Sequence, residues 1–171
     1  MPIEIIGWDK DIYPLFQSQG FAAQFAFPFA NAIGIGREYQ HGYDIGCNRM
    51  EWKLPHAMPI DPLIDKRFDA YNLPPTVVDY IFSSHCLEHL NDWVGALDYW
   101  ATKIKKAGIL FLYLPHPAQR YWRPWNNRKH IHSLNPYIIR SYLKDRGCWT
   151  KIFVTKGFDL NNSFYVVAEK I

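Results

Sequence analysis

The sequence predicts an α/β fold, a doubly wound and mostly parallel sheet closed at one end by an antiparallel pair of strands. Three observations lead there. Short apolar runs alternate with amphipathic segments in the order strand, crossover helix, strand, which favours parallel pairing through right-handed connections. Residues 109–114, ILFLYL, form a nearly continuous apolar run suited to a central strand covered on both faces. The last two strand-like runs are joined by only a short polar connection, which suits an antiparallel edge.

The elements follow in order. Residues 10–30 carry Ile12, Leu15, Phe16, Phe21, Phe25, Phe27 and Phe29, a pattern for short helices over an edge of the domain, and Pro14 and Pro28 argue against one continuous helix. Tyr43 to Ile45 reads as the first core strand, ending in Gly46. Ala57 to Ile60 is a second, ended by Asp61 and Pro62. A third is indicated near Lys66 to Phe68. Val77 to Ser83 is the strongest early strand, and Leu87 to Leu90 is a turn or short helix. Trp93 to Lys105 reads as a helix capped by Asn91 or Asp92 and broken by Gly108. Pro115 ends the central strand. Ser133 or Asn135 caps a further helix with Ile138, Ile139, Tyr142 and Leu143 on one face, closed by Gly147. Thr150 to Thr155 and Phe164 to Glu169 supply the final pair.

Length and composition bound the rest. The chain of 171 residues is enough for one domain with a substantial core, taken as 1–171 with 1–40 as an amino-terminal helical extension. Hydrophobic residues at 49% argue against disorder, and the apolar runs are interrupted well before membrane-spanning length. The formal charge of +3 is too small to signal nucleic-acid binding, although Arg120, Arg123, Arg128 and Lys129 form a local basic group that is either a solvated face or an anion-binding patch. Cys47, Cys86 and Cys148 are odd in number with no close paired spacing, which favours reduced thiols and a cytoplasmic setting. The amino terminus does not read as a secretion signal.

In an open parallel sheet, ligands bind outside the carboxyl ends of the strands. Asp44 to Cys47, Asp61, Ser83 to His89 and Pro115 to His116 all fall at such ends. Gly46 permits a close backbone approach or a strand-ending turn. Asp44 and Asp61 are two strand-end carboxylates in consecutive units that can face one crevice, although Asp61 before Pro62 reads by itself as a solvated turn.

The segments YDIGCN (43–48), AMPIDP (57–62), DAYNLPPTVVDYIFSSHCLEHL (69–90) and GILFLYLPHP (108–117) resemble those of class I S-adenosylmethionine-dependent methyltransferases, from about Gly42 to the carboxyl terminus. The resemblance implies a seven-stranded Rossmann-like sheet, S-adenosyl-L-methionine as cofactor and methyltransferase activity. It implies that Asp44, Gly46 and Asn48 line the methionine side of the cofactor, that Asp61 accepts hydrogen bonds from the ribose hydroxyls, and that Asp69, Asn72 and Leu73 recognise adenine. His85 would then lie near the methyl group. Asn48 and Met50 stand where glycines often occur in the family, with asparagine tolerating left-handed backbone angles.

The HCLEH run (85–89) has two readings. It matches the H-x-x-E-H pattern of inverted zinc proteases, which needs a stable helix and a further ligand. It equally suits hydrogen bonding and cofactor contact at a strand end, and no metal is expected. His116, just past the central strand, is the candidate substrate-side base, since an unperturbed imidazole titrates near neutrality. His130 and His132 follow the basic group, and Tyr121, Trp122 and Trp125 offer an apolar wall, so this stretch either folds over the pocket or packs against the body. The leading function is methyl transfer to a small or medium-sized acceptor, such as a hydroxyl of a sugar or other metabolite. The alternatives are a noncatalytic methyltransferase-like binding or partner protein, motivated by the glycine-poor loop, and a metal-assisted hydrolase.

Overall fold

A computed structural model of the chain describes residues 21–119, 122–159 and 162–171. Among the described residues three α-helices, α1 (Phe21–Ala32), α2 (Trp93–Lys103) and α3 (Pro136–Asp145), pack on six strands: β1 (Gly42–Ile45), β2 (Ala57–Ile60), β3 (Val78–Ser84), β4 (Ile104–Pro115), β5 (Trp149–Val154) and β6 (Ser163–Lys170). The strands form one sheet in the order β2-β1-β3-β4-β6-β5. β2, β1, β3 and β4 pair in parallel, whereas β6 runs antiparallel to both β4 and β5. The mostly parallel sheet and its antiparallel edge pair are therefore as expected.

Period-two alternation divides the apolar runs between the two faces. Leu110, Leu112 and Leu114 of β4 and Phe164, Val166 and Ala168 of β6 point to one side, where they meet Leu97 and Trp100 of α2 and Ile139 and Leu143 of α3. Phe111 and Tyr113 of β4 with Tyr80 and Phe82 of β3 point to the other, against Ala26 and Ala30 of α1. Each large side chain sealed this way contributes roughly 1.5–3 kcal/mol. Trp100 is fully buried and also donates its indole N–H to the Ala70 carbonyl at 2.7 Å, so its one polar atom is satisfied.

Several element readings need correction. The stretch expected as a third strand curls through consecutive turns: the Asp61 carbonyl accepts from Ile64 and Asp65, and the Asp65 carbonyl from Phe68. Beyond them lies only an isolated bridge between Asp69 and Asn72. The sheet accordingly has six strands among the described residues, not seven. Pro28 sits inside α1 without ending it; Ile12, Pro14, Leu15 and Phe16 lie outside the described residues. α2 stops at Lys103 and the chain enters β4 directly, so Gly108 is a strand residue. A Cβ on Gly108 would stand 2.7 Å from the Asp79 carbonyl oxygen, which explains the glycine. This junction is irregular, with Val78 opposite Ile104 but Tyr80 opposite Ile109. On α3, Ile139 and Leu143 are buried while Ile138 is turned outward. Asp92 caps α2 and Asn135 caps α3. No helix among the described residues is long and apolar enough to cross a membrane.

Candidate functional site

Because β1 to β4 run parallel, the residues that follow them share one end of the sheet. Gly46, Asp61, His85 and His116 each come immediately after a strand or at its first departing residue. Asp44 lies within β1, paired to Pro59 of β2 and Phe82 of β3.

The first strand end is held by backbone geometry. Gly46 has φ +80° and donates its N–H to the Ile60 carbonyl at 2.9 Å. A Cβ there would stand 2.5 Å from the Cys86 side chain, so the glycine is what lets the β1 and β3 ends approach. Ser83 ties the same two strands by donating its hydroxyl to the Ile45 carbonyl at 2.9 Å. Asn48 takes φ +65°, the left-handed conformation in which asparagine substitutes for glycine.

Both carboxylates are buried and already organise the loop. Asp44 Oδ2 accepts the Leu54 N–H at 2.6 Å, and Asp61 accepts the Asn48 N–H at 2.8 Å through Oδ2 and the Leu63 N–H at 2.9 Å through Oδ1. A carboxylate has about four acceptor sites, so each Asp61 oxygen retains capacity for a ligand hydroxyl. Burial raises the Asp44 pKa to about 7; the Leu54 N–H and Lys53 oppose that rise, and the charge of Asp61 adds to it.

The expected adenine residues have mixed surroundings. Asp69 is exposed and accepts the Tyr71 N–H at 2.7 Å, and Asn72 donates to the Arg67 carbonyl at 2.8 Å. Leu73 instead packs in the core beside α2, its N–H bonded to the Tyr99 hydroxyl at 3.1 Å. As the structure stands, Leu73 is a core residue.

His85 adopts φ +48° and donates its backbone N–H to the Tyr113 carbonyl at 2.9 Å. Its Nε2 is 2.8 Å from the Ser163 hydroxyl on β6, its ring meets Tyr113 and Trp122, and its buried Nδ1 has no hydrogen-bond partner. Burial, reinforced by His130 and His89, pushes its pKa well below the usual value and keeps the ring neutral. His85 thus turns its Nε2 toward β6. Residues 87–89 form only a 3-10 turn, so the H-x-x-E-H pattern does not assemble on a helix and the protease-like ligand set is absent.

His116 bonds its backbone N–H to the Asn162 carbonyl, and its Nδ1 accepts the Ala118 N–H at 3.0 Å. With Nδ1 occupied as an acceptor, the neutral ring carries its proton on Nε2 and presents a donor. Burial lowers its pKa. In the following stretch Trp122 is buried and stacks on His130, with centroids 4.8 Å apart and planes at 4°. Trp125 is exposed beneath Arg123, while Arg120 and Tyr121 lie outside the described residues. The wall expected from Trp122 and Trp125 is therefore split between the interior and the surface. A separate groove lined by Asp98, Arg146, Cys148 and Lys170 lies toward the opposite end of the sheet.

What the sequence reading missed is the grouping of Glu88 and His89 with His130, whose ligand-type atoms all lie within 4.8 Å of one another. His130 is 41 positions beyond His89, and no spacing pattern marks the pair.

No protein-family model matches the chain, and no curated protein matches it by sequence. Solved structures do resemble it. A S-adenosylmethionine-dependent methyltransferase from Archaeoglobus fulgidus is 16% identical, with 94% of this chain and 100% of that one covered and a TM-score of 0.66. The N-methyltransferase NodS from Bradyrhizobium japonicum WM9, in complex with S-adenosyl-L-homocysteine, is 15% identical over 95% of this chain and 91% of that one, at a TM-score of 0.57. Magnesium protoporphyrin IX methyltransferase from Synechocystis PCC 6803, with bound S-adenosylmethionine, is 13% identical over 92% and 82%, at 0.61. At such identities the likeness is one of architecture. Sheet order, antiparallel edge and structural likeness agree, and the chain has the fold of the class I S-adenosylmethionine-dependent methyltransferases.

Proposed function

We propose that the chain transfers a methyl group from S-adenosyl-L-methionine to a small or medium-sized acceptor, acting as a single domain in a cytoplasmic setting. The observation that carries the reading is the pair of buried carboxylates, Asp44 and Asp61, at adjacent parallel strand ends beside a glycine at φ +80°. The buried, unpartnered Nδ1 of His85 at the neighbouring strand end supplies a further polar atom for a ligand.

These residues fit the cofactor's chemistry. Asp61 keeps acceptor capacity for two ribose hydroxyls, and Asp44, Gly46 and Asn48 surround the methionine portion. Asp69 and Asn72 serve the adenine edge; Leu73 contributes through the core beneath it. The cofactor supplies an electrophilic methyl on sulfur, and the protein's task is alignment and electrostatics. His116 offers Nε2–H to orient an acceptor oxygen or nitrogen. To act as a base through Nε2 it must give up the Ala118 N–H and shift its tautomer, and its lowered pKa makes the ring a weaker proton acceptor.

Isothermal titration with S-adenosylmethionine and S-adenosylhomocysteine tests the reading. Saturable one-site binding is expected, with Asp61→Ala weakening it roughly 10- to 100-fold, the loss of hydrogen bonds to a charged group. Asp61→Asn controls for the loop, since it retains one carbonyl acceptor. A well-folded wild-type sample that binds neither compound favours the noncatalytic partner protein instead.

A further inference from the structure

We propose that Glu88, His89 and His130 form a binding site for one divalent transition-metal ion of the zinc class, which clasps the segment 122–132 onto the end of β3. The site does not depend on methyl transfer.

The first argument is geometric. Glu88 Oε1 lies 3.5 Å from His89 Nε2 and 3.7 Å from His130 Nε2, with the third separation within 4.8 Å. Tetrahedral zinc with bonds of about 2.1 Å sets its ligands about 3.4 Å apart. The two separations from Glu88 are too long for hydrogen bonds and close to those of a shared ion.

The second argument is that the atoms lack other partners. Glu88 and His130 are each 1% exposed, and neither Glu88 oxygen nor His130 Nε2 has a hydrogen-bond partner. A buried carboxyl and an imidazole lone pair left unpaired cost about 1–3 kcal/mol each, more for a charged group. A bound cation satisfies Glu88 Oε1 and His130 Nε2 at once.

The third argument concerns the imidazole tautomers. His130 Nδ1 faces the Trp122 carbonyl at 3.0 Å and His89 Nδ1 faces the Lys129 carbonyl. A carbonyl only accepts, so both rings carry their protons on Nδ1 and direct Nε2 lone pairs toward Glu88. Carbonyls holding the far nitrogen in this way are the usual outer support of metal-binding histidines. The backbone holds the ligands together as well, because the N–H groups of Ile131 and His132 both donate to the Glu88 carbonyl. His89, about one-third exposed, gives an entry path and leaves a fourth position for water. A set of two histidines and a glutamate suits zinc better than calcium or magnesium, which prefer all-oxygen sites.

The clasp reaches His85 at the end of β3 through ring contacts. His130 stacks on Trp122, and Trp122 meets the His85 ring edge-on with centroids 4.9 Å apart.

The test uses the full chain loaded with zinc, desalted and assayed by elemental analysis, with cobalt as a spectroscopic substitute. About one equivalent of zinc per chain is expected, together with tetrahedral cobalt absorption that zinc abolishes. His89→Ala, at the most exposed ligand, and Glu88→Gln are expected to weaken zinc binding at least about 100-fold, beyond the usual effect of changing an outer-shell partner. His56→Ala, an exposed histidine elsewhere, is expected to retain the full equivalent. Circular dichroism on each variant separates ligand loss from unfolding. A folded wild-type protein that retains no zinc overturns the proposal, as do folded His89→Ala and Glu88→Gln proteins that hold zinc as tightly as wild type.

Discussion

Asp44 is a carboxyl group with almost no contact with water, one backbone donor on its Oδ2 and a second acid nearby. Its folded pKa of about 7 stands above the unfolded value of 3.8. Between those limits the folded chain binds a proton that the unfolded chain releases. The stability this group contributes is therefore fully present below the unfolded pKa and is lost as pH rises through about 7. At about 1.4 kcal/mol per unit, the loss amounts to ~4 kcal/mol. Asp44→Asn stays neutral and keeps an acceptor for the Leu54 N–H. Urea denaturation at pH 5 and pH 8 should then show wild type falling relative to Asp44→Asn by about 3 kcal/mol at the higher pH, the part of the loss that lies above pH 5. A difference between the two proteins that does not change with pH refutes a buried, titrating Asp44. A cationic ligand beside this group favours its ionised form, so affinity for the sulfonium cofactor should rise through neutral pH more than affinity for its uncharged-sulfur product.

Two junctions show how local and distant causes act on an element. Asn135 caps α3 through Oδ1, accepting the N–H groups of Tyr137 at 2.9 Å and Ile138 at 3.0 Å, with Pro136 in the first turn. Asn135→Ala should cost about 1 kcal/mol in chemical denaturation, and Asn135→Ser or Asn135→Asp much less. Gly108 is different, because one of the atoms that demand it, the Asp79 carbonyl oxygen, belongs to the neighbouring strand, while the Ile104 side chain and the Lys105 carbonyl crowd it from its own. Gly108→Ala should cost about 1–3 kcal/mol by forcing the β3–β4 junction apart. The same contrast explains what was legible in the sequence. The cap is written in adjacent residues, as are the strand-end positions of Asp44, Gly46 and Asp61. Gly108 reads as a helix stop because its nearest neighbours follow a helix, and the packing that requires it cannot be seen along the chain. His85, Glu88 and His89 read as one motif for the same reason, yet His85 is drawn to Ser163 and its place in the group is taken by His130. The turns at 61–68 are legible in Asp61, Pro62 and Asp65, whose carboxylates at 61 and 65 accept N–H groups two residues on, and Phe68 alone does not make a strand.

At the scale of the molecule, one sheet carries two apolar clusters, and the connections at its parallel strand ends hold the polar groups. Such an arrangement separates stability from binding: helices and strands supply the burial, and the loops remain free to take a ligand. A ligand bound only by the folded chain stabilises it by mass action, about 2.7 kcal/mol at 100 times Kd. For a chain of this length each kcal/mol raises Tm by roughly 2–4 °C, so S-adenosylhomocysteine at that concentration should raise Tm by about 5–11 °C. Asp61→Ala should cut the shift at least by about half at the same ligand concentration, because binding weakened roughly 10- to 100-fold leaves about 1.4 to 0.4 kcal/mol of the stabilisation. Zinc provides an independent comparison, since its three ligands lie outside the carboxylate pair. In His89→Ala the nucleoside shift should persist while the zinc shift disappears, and in Asp61→Ala the reverse should hold. Loss of both shifts in either folded variant would mean that the strand-end crevice and the clasp are one site. Independent shifts would establish two separate sites.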